Sequence, residues 1–177
     1  PGDSYSPGPS PVRLPPSATR PGSPGPTTAV DTGPMADSER SVRISRAGTH
    51  TFTAHNARGG TLRFGEGGDA DFTPVELLLV ALAGCSAIDV EYITVRRAEP
   101  VRFEATASAT KVADDNGNHL DDLALDFDIA FPDGEDGDRA RAILERAVSR
   151  SRDRLCTVSR TIQRATPVEY RIDGAGV

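Results

Sequence analysis

The sequence predicts an α+β fold, on three observations. A period of two runs through Val101–Thr110 and again through Leu123–Phe131, with turn residues at Asn116-Gly117 between them. A helical period follows at Ala140, Ile143, Leu144, Ala147 and Val148. No strand–helix–strand alternation or internal repeat appears, so strands and helices are segregated rather than doubly wound.

Ten of the 14 prolines fall in residues 1–34, among Ser, Gly and Thr, with few large apolar side chains. Such a segment buries too little surface to offset its ordering entropy. We therefore expect a disordered tail over 1–34, with Met35 as the natural start and the folding unit over 35–177. Val42–Ser45, Thr49–Ala54 and Thr61–Phe64 alternate like short strands, broken at Gly48 and Gly59-Gly60, and suggest a meander. Thr73-Pro74-Val75-Glu76 then reads as a helix start. Thr73 suits the N-cap, Pro74 the first helical position and Glu76 a reciprocal capping box. This helix should end near Arg96, before Pro100. The hairpin and the amphipathic helix come next. Thr157–Arg164 forms a further helical piece, and Val168, Tyr170 and Ile172 a closing strand.

The first helix is apolar or small on every face between Leu77 and Val90, with Ser86 and Asp89 as exceptions. A helix apolar all round must be covered all round. The rest of so small a chain cannot enclose it, and pairing with a second copy about a two-fold axis would. An obligate homodimer is expected.

Composition excludes several functions. A net charge of −6 argues against nucleic acid as the main partner. The longest uncharged apolar run, Leu77–Ile88, falls short of the roughly 20 residues that span a bilayer. No secretory signal opens the chain, so a cytoplasmic protein is expected. His50 and His55 lie five apart, on opposite faces of a strand, and the acidic turns fit no EF-hand loop. No metal and no cofactor are expected.

The chemistry must then reside in Cys85 and Cys156. Cys85 lies mid-helix in Ala83-Gly84-Cys85-Ser86-Ala87, beside Asp89, and needs a cation brought by tertiary structure. Arg43, Arg58 and Arg63 are candidates. Cys156 lies at a helix start among arginines, which favours its thiolate locally. The bland alternative is two inert buried thiols.

Thr73-Pro74-Val75-Glu76-Leu77-Leu78 through Ala83-Gly84-Cys85-Ser86-Ala87-Ile88, with Leu155-Cys156-Thr157-Val158-Ser159 further on, resembles the OsmC/Ohr family of osmotically inducible and organic-hydroperoxide-resistance proteins. The order of elements is similar over 41–173. The resemblance implies antiparallel sheets around a long central cysteine-bearing helix, in an intertwined homodimer with sites at its interface. It also implies a thiol peroxidase cycle in which Cys85 attacks a small hydroperoxide and Cys156 resolves the product to a disulfide. A dithiol or a lipoylated protein would reduce that bridge. Members with peroxidase activity generally carry a glutamate ten residues before the first cysteine, paired with a catalytic arginine, for which Arg63 is the candidate here. Val75 holds that position, and Glu76 stands one residue later, about 100° further round the helix. Glu76 could meet a cysteine only through the partner subunit. Thr157 stands where several members have proline. The Pro-x-Glu-Leu-Leu variant resembles a subgroup whose substrate need not be an organic peroxide. The rival reading is a non-catalytic dimeric module that binds a small apolar or electrophilic ligand, or senses redox state.

Overall fold

The described residues open on a three-stranded antiparallel meander, β1 (Val42–Gly48), β2 (Thr51–Asn56) and β3 (Thr61–Gly65), in the order β1-β2-β3. The computed structural model describes residues 39–176, so the expected tail over 1–34 lies outside the described residues. Asn56 closes the β2–β3 turn: its Oδ1 accepts from the N–H groups of Arg58 and Gly60 at 2.9 and 3.0 Å. Gly59 takes φ +86° there, which glycine adopts without strain. Phe52 and Phe64 stack across the sheet, their centroids 5.9 Å apart. The β1–β2 turn holds His50 at φ 52°, so this residue lies outside the strand that the alternation had assigned to it. Asn, Asp and His tolerate that left-handed geometry better than most residues.

Phe72 pairs with Phe64 and leads the chain into α1 (Pro74–Thr94). Its start is the expected capping box. Thr73 Oγ1 accepts from the Glu76 N–H at 3.2 Å, and Glu76 Oε2 accepts from the Thr73 N–H at 2.7 Å. The helix stops near the expected residue, because Pro100 cannot continue it. A long hairpin follows, β4 (Arg102–Asp114) and β5 (Gly117–Ala130), with a register shift between Ser108 and Thr110. Phe103 and Phe127 meet edge to face on its inner side.

Helix α2 (Glu135–Arg150) packs against α1. Gly137 is buried at its start, where a Cβ would lie 1.8 Å from the Pro132 carbonyl oxygen. Arg139 pairs with Glu135 and Asp136, and Arg141 with Asp138, so the basic face of α2 is neutralised locally. A π-helical turn, Ser151–Leu155, then leads to Cys156 and α3 (Thr157–Gln163).

The closing strand differs from expectation. Only Arg171–Ile172 (β6) pairs, with Ala175–Gly176 (β7), while Val168 and Tyr170 stand exposed outside any strand. Alternation makes a strand only where an edge supplies hydrogen bonds. Among the described residues no longer partner edge is offered to this segment.

Burial centres on α1, which touches α2, β4, α3 and the π turn. Leu82, Ser86, Val90 and Thr94 form its buried stripe, four residues apart. Its other faces stay open: Leu78, Val80, Ile88 and Tyr92 are exposed, Ile88 by 67%. By length and a hydropathy of 1.7 the helix is long and apolar enough to cross a bilayer. Its contacts with α2, β4 and α3 make it instead the core helix of an α+β fold.

Candidate functional site

The two cysteines are free, and the structure brings them together. Cys85 projects from the middle of α1. Cys156 is fully buried at the N-cap of α3. Their Sγ atoms and a carboxylate oxygen of Asp89 all lie within 4.8 Å of one another. Asp89 stands four residues after Cys85, one turn along the same face.

The turn before α3 builds the other half of the site. A π turn carries one residue more than an α turn, and such turns recur at functional positions. Here the Cys156 N–H donates to the Ser151 carbonyl oxygen, five residues back, at 2.9 Å. The buried Ser151 Oγ donates to Asp89 Oδ2 at 2.9 Å. One turn thus seats the second sulfur and fixes the carboxylate. Cys156 Sγ caps α3 by accepting from the Ser159 N–H at 3.3 Å.

The first N–H groups of α3 point elsewhere. Those of Val158 and Thr157 favour the Cys85 thiolate. Mid-helix position suggested that Cys85 would receive no such help, and it is corrected here: tertiary packing lends Cys85 the free amides of another helix. Burial nevertheless pushes the Cys85 thiol up, past the lowering by those two amides, and the neighbouring Cys156 sulfur raises it further. Among the described residues, no arginine counters this at Cys85.

The remaining candidates lie outside this cluster. Arg63 is exposed on β3 and paired with Asp69 at 3.6 Å and Asp71 at 3.1 Å. Glu76 is engaged at the α1 N-terminus, where its bonds to Thr73 hold its carboxyl below the usual range. Arg43 lies on β1 and Arg58 in the β2–β3 turn. His50 meets Glu66 at 4.0 Å, and His55 bonds Ser45 Oγ at 3.0 Å, in separate places. Sequence reading missed Ser151 and the constructive part of Asp89. The four-residue spacing of Asp89 from Cys85 was a usable signal, whereas Ser151 gave none.

Two clefts lie along α1. One, of about 470 Å³, is lined by Leu82, Ser86, Leu125, Phe127, Val148 and Ser159. The other, of about 600 Å³, runs from Asp89 and Leu155 past Tyr92 to Arg96, Arg97, Arg146 and Arg150. Arg96 lies over the Tyr92 ring at 4.8 Å.

This α+β chain thus gathers two sequence-distant thiols beside one helix start. Residues 66–171 match the family model described as OsmC-like protein, and the chain belongs to that family. An uncharacterized protein of Mycobacterium tuberculosis is 28% identical over 136 residues, covering 75% of this chain and 96% of the relative. The fold is similar to a hypothetical protein from Aquifex aeolicus, with TM-score 0.59 and 21% identity over 73% of this chain and 91% of that one. It is also similar to an OsmC-like protein from Mycoplasma pneumoniae, with TM-score 0.57 and 16% identity over 72% and 89% of the two chains.

Proposed function

We propose that this chain is a thiol-dependent hydroperoxide reductase of OsmC type, acting in oxidative-stress defence as a cytoplasmic homodimer built from residues 35–177. The observation that carries the reading is the approach of the Cys85 and Cys156 sulfurs to within 4.8 Å. The Cys85 thiolate attacks the peroxide oxygen, the O–O bond breaks, and the alcohol leaves with a proton. Cys85 is then a sulfenic acid. The Cys156 sulfur displaces its hydroxyl as water and closes a disulfide, which needs an S–S distance of about 2.05 Å. An external dithiol, free or lipoyl-borne, restores both thiols by exchange and is itself oxidised.

A neutral Cys85 thiol is a poor nucleophile, so the reading requires a cation. A second subunit supplies it. The apolar outer face of α1 and the exposed Val42, Ile44 and Leu62 of the meander support such an assembly. Arg63 of the partner subunit would then reach Cys85, with Glu76 orienting it, once the arginine exchanges its pairing to Asp69 and Asp71.

The test is the mass of the reduced protein after one equivalent of cumene hydroperoxide. Wild type should lose two hydrogens, Cys156→Ser should gain one oxygen, and Cys85→Ser should stay unchanged. An unchanged wild type sinks the reading. It would favour the rival, a module without turnover, for which the 470 Å³ cleft beside Ser86 offers an apolar ligand space.

A further inference from the structure

We propose that the reduced protein binds one thiophilic divalent cation, Zn²⁺, through Cys85 Sγ, Asp89 and Cys156 Sγ. The sequence alone pointed away from metal, because its histidines are scattered. Among the described residues, this is the group of Cys, His and acidic side chains whose ligand atoms converge.

Four features fit the donor set to zinc. Two sulfurs and a carboxylate oxygen are donors that zinc accepts, at bond lengths of about 2.3 Å for sulfur and about 2.0–2.2 Å for oxygen. Tetrahedral angles at those lengths separate two sulfurs by roughly 3.8 Å, and the donors start within 4.8 Å. The outer shell is already in place. Ser151 Oγ orients the Asp89 carboxylate at 2.9 Å. The Ser159 N–H donates to Cys156 Sγ at 3.3 Å, as a thiolate ligand requires. Outer partners of this kind fix ligand geometry and tune affinity.

Three protein ligands leave the fourth position for water, the arrangement of an open rather than a sealed zinc site. Binding balances as Zn²⁺ plus two thiols and one carboxylate, giving the complex and two released protons. No electrons move. Arg96, Arg97 and Arg150 line the cleft that runs from Asp89. A consequence follows for sulfur chemistry. The metal-bound dithiol and the disulfide use the same two atoms and exclude each other, so zinc would hold the pair reduced.

The proposal needs no peroxide, and its test uses none, so it fails independently of the reductase reading. The reduced full chain is titrated anaerobically with Zn²⁺ against a chromophoric chelator, and with Co²⁺ for its absorption spectrum. One ion per chain and a thiolate-to-cobalt charge-transfer band of tetrahedral intensity are expected. Cys85→Ser and Cys156→Ser should each abolish stoichiometric binding, with circular dichroism unchanged. Ser151→Ala, which leaves all three ligands, should weaken binding about 10-fold, and Asp89→Asn, which removes a charged ligand, should weaken it more than Ser151→Ala does. A cobalt spectrum without the thiolate band overturns the proposal. So does zinc binding of wild-type strength in Asp89→Asn or in either cysteine variant.

Discussion

Helices α1 and α2 lie against each other and solve the problem of burial in opposite ways. The apolar side of α2 is a narrow stripe of Gly137, Ala140 and Ala147, all buried, and its other side is charged and paired within a turn. Its own chain satisfies it. The buried stripe of α1 is equally narrow, from Leu82 to Thr94, yet the rest of its surface is also apolar. Ala81, Gly84, Ile88 and Tyr92 run along it uncovered. A Cβ placed on Gly84 would meet nothing within 4 Å, so the backbone itself is open to close approach. Two helices of one protein therefore carry different information. α2 belongs to a completed interior, whereas α1 leaves an apolar face open that the proposed dimer would cover.

The sharpest way to break this comparison is charge. Ile88→Glu on α1 would place an unpaired carboxylate in the proposed interface, at about 3–5 kcal/mol. Sedimentation should show the dimer weakened at least about a hundredfold. Ala142→Glu, on the exposed side of α2, should stay within about 0.5 kcal/mol of wild type. Equal behaviour of the two variants would erase the distinction.

Volume is the next test, and here α2 should be the sensitive helix. Ala147→Leu and Ala140→Leu overfill sites with no exposure and should each cost about 1–3 kcal/mol in urea unfolding. Gly137→Ala belongs with them, since its methyl group would strike the Pro132 carbonyl. Gly84→Ala on α1 should leave the isolated subunit's packing intact, and its effect should appear in the dimer alone.

The smallest effects sharpen the picture at the helix starts. Thr73→Ala removes the α1 cap, whose loss typically costs about 1 kcal/mol. The start of α2 has no side-chain cap at Gly134, so Gly134 offers no equivalent loss. Glu76 adds a pH signature. Its bonds to Thr73 lower its folded pKa below the unfolded one. Its stabilisation is therefore present above the unfolded value and fades as pH falls through the folded one. The difference between wild type and Glu76→Gln should shrink on acidification. A difference that grew would contradict the capping role.

Much of this molecule was readable from its residues, and the readable parts share a reason. The Thr73–Glu76 box, the stop before Pro100, the hairpin period and the α2 stripe are set by neighbours within a few residues. Three features were not readable. The π turn adds one residue to a helical turn, and no side chain signals it. The segment around Val168 alternates like a strand, but strand formation depends on an edge that the described residues do not supply. Cys85 looked unassisted because its assistance comes from Thr157 and Val158, on a different helix.

The residues alone set the α+β class, the family motifs, the two cysteines that the proposed reaction uses and an α1 apolar on most of its faces. These follow from local propensity, periodicity and composition, each of which acts over a turn or two of chain. Only the tertiary structure decided that Cys85, Asp89 and Cys156 share one locus, with Ser151 holding the carboxylate and α3 amides reaching the far sulfur. Contacts between residues some 70 positions apart depend on how helices and turns pack, and packing is a property of the whole chain.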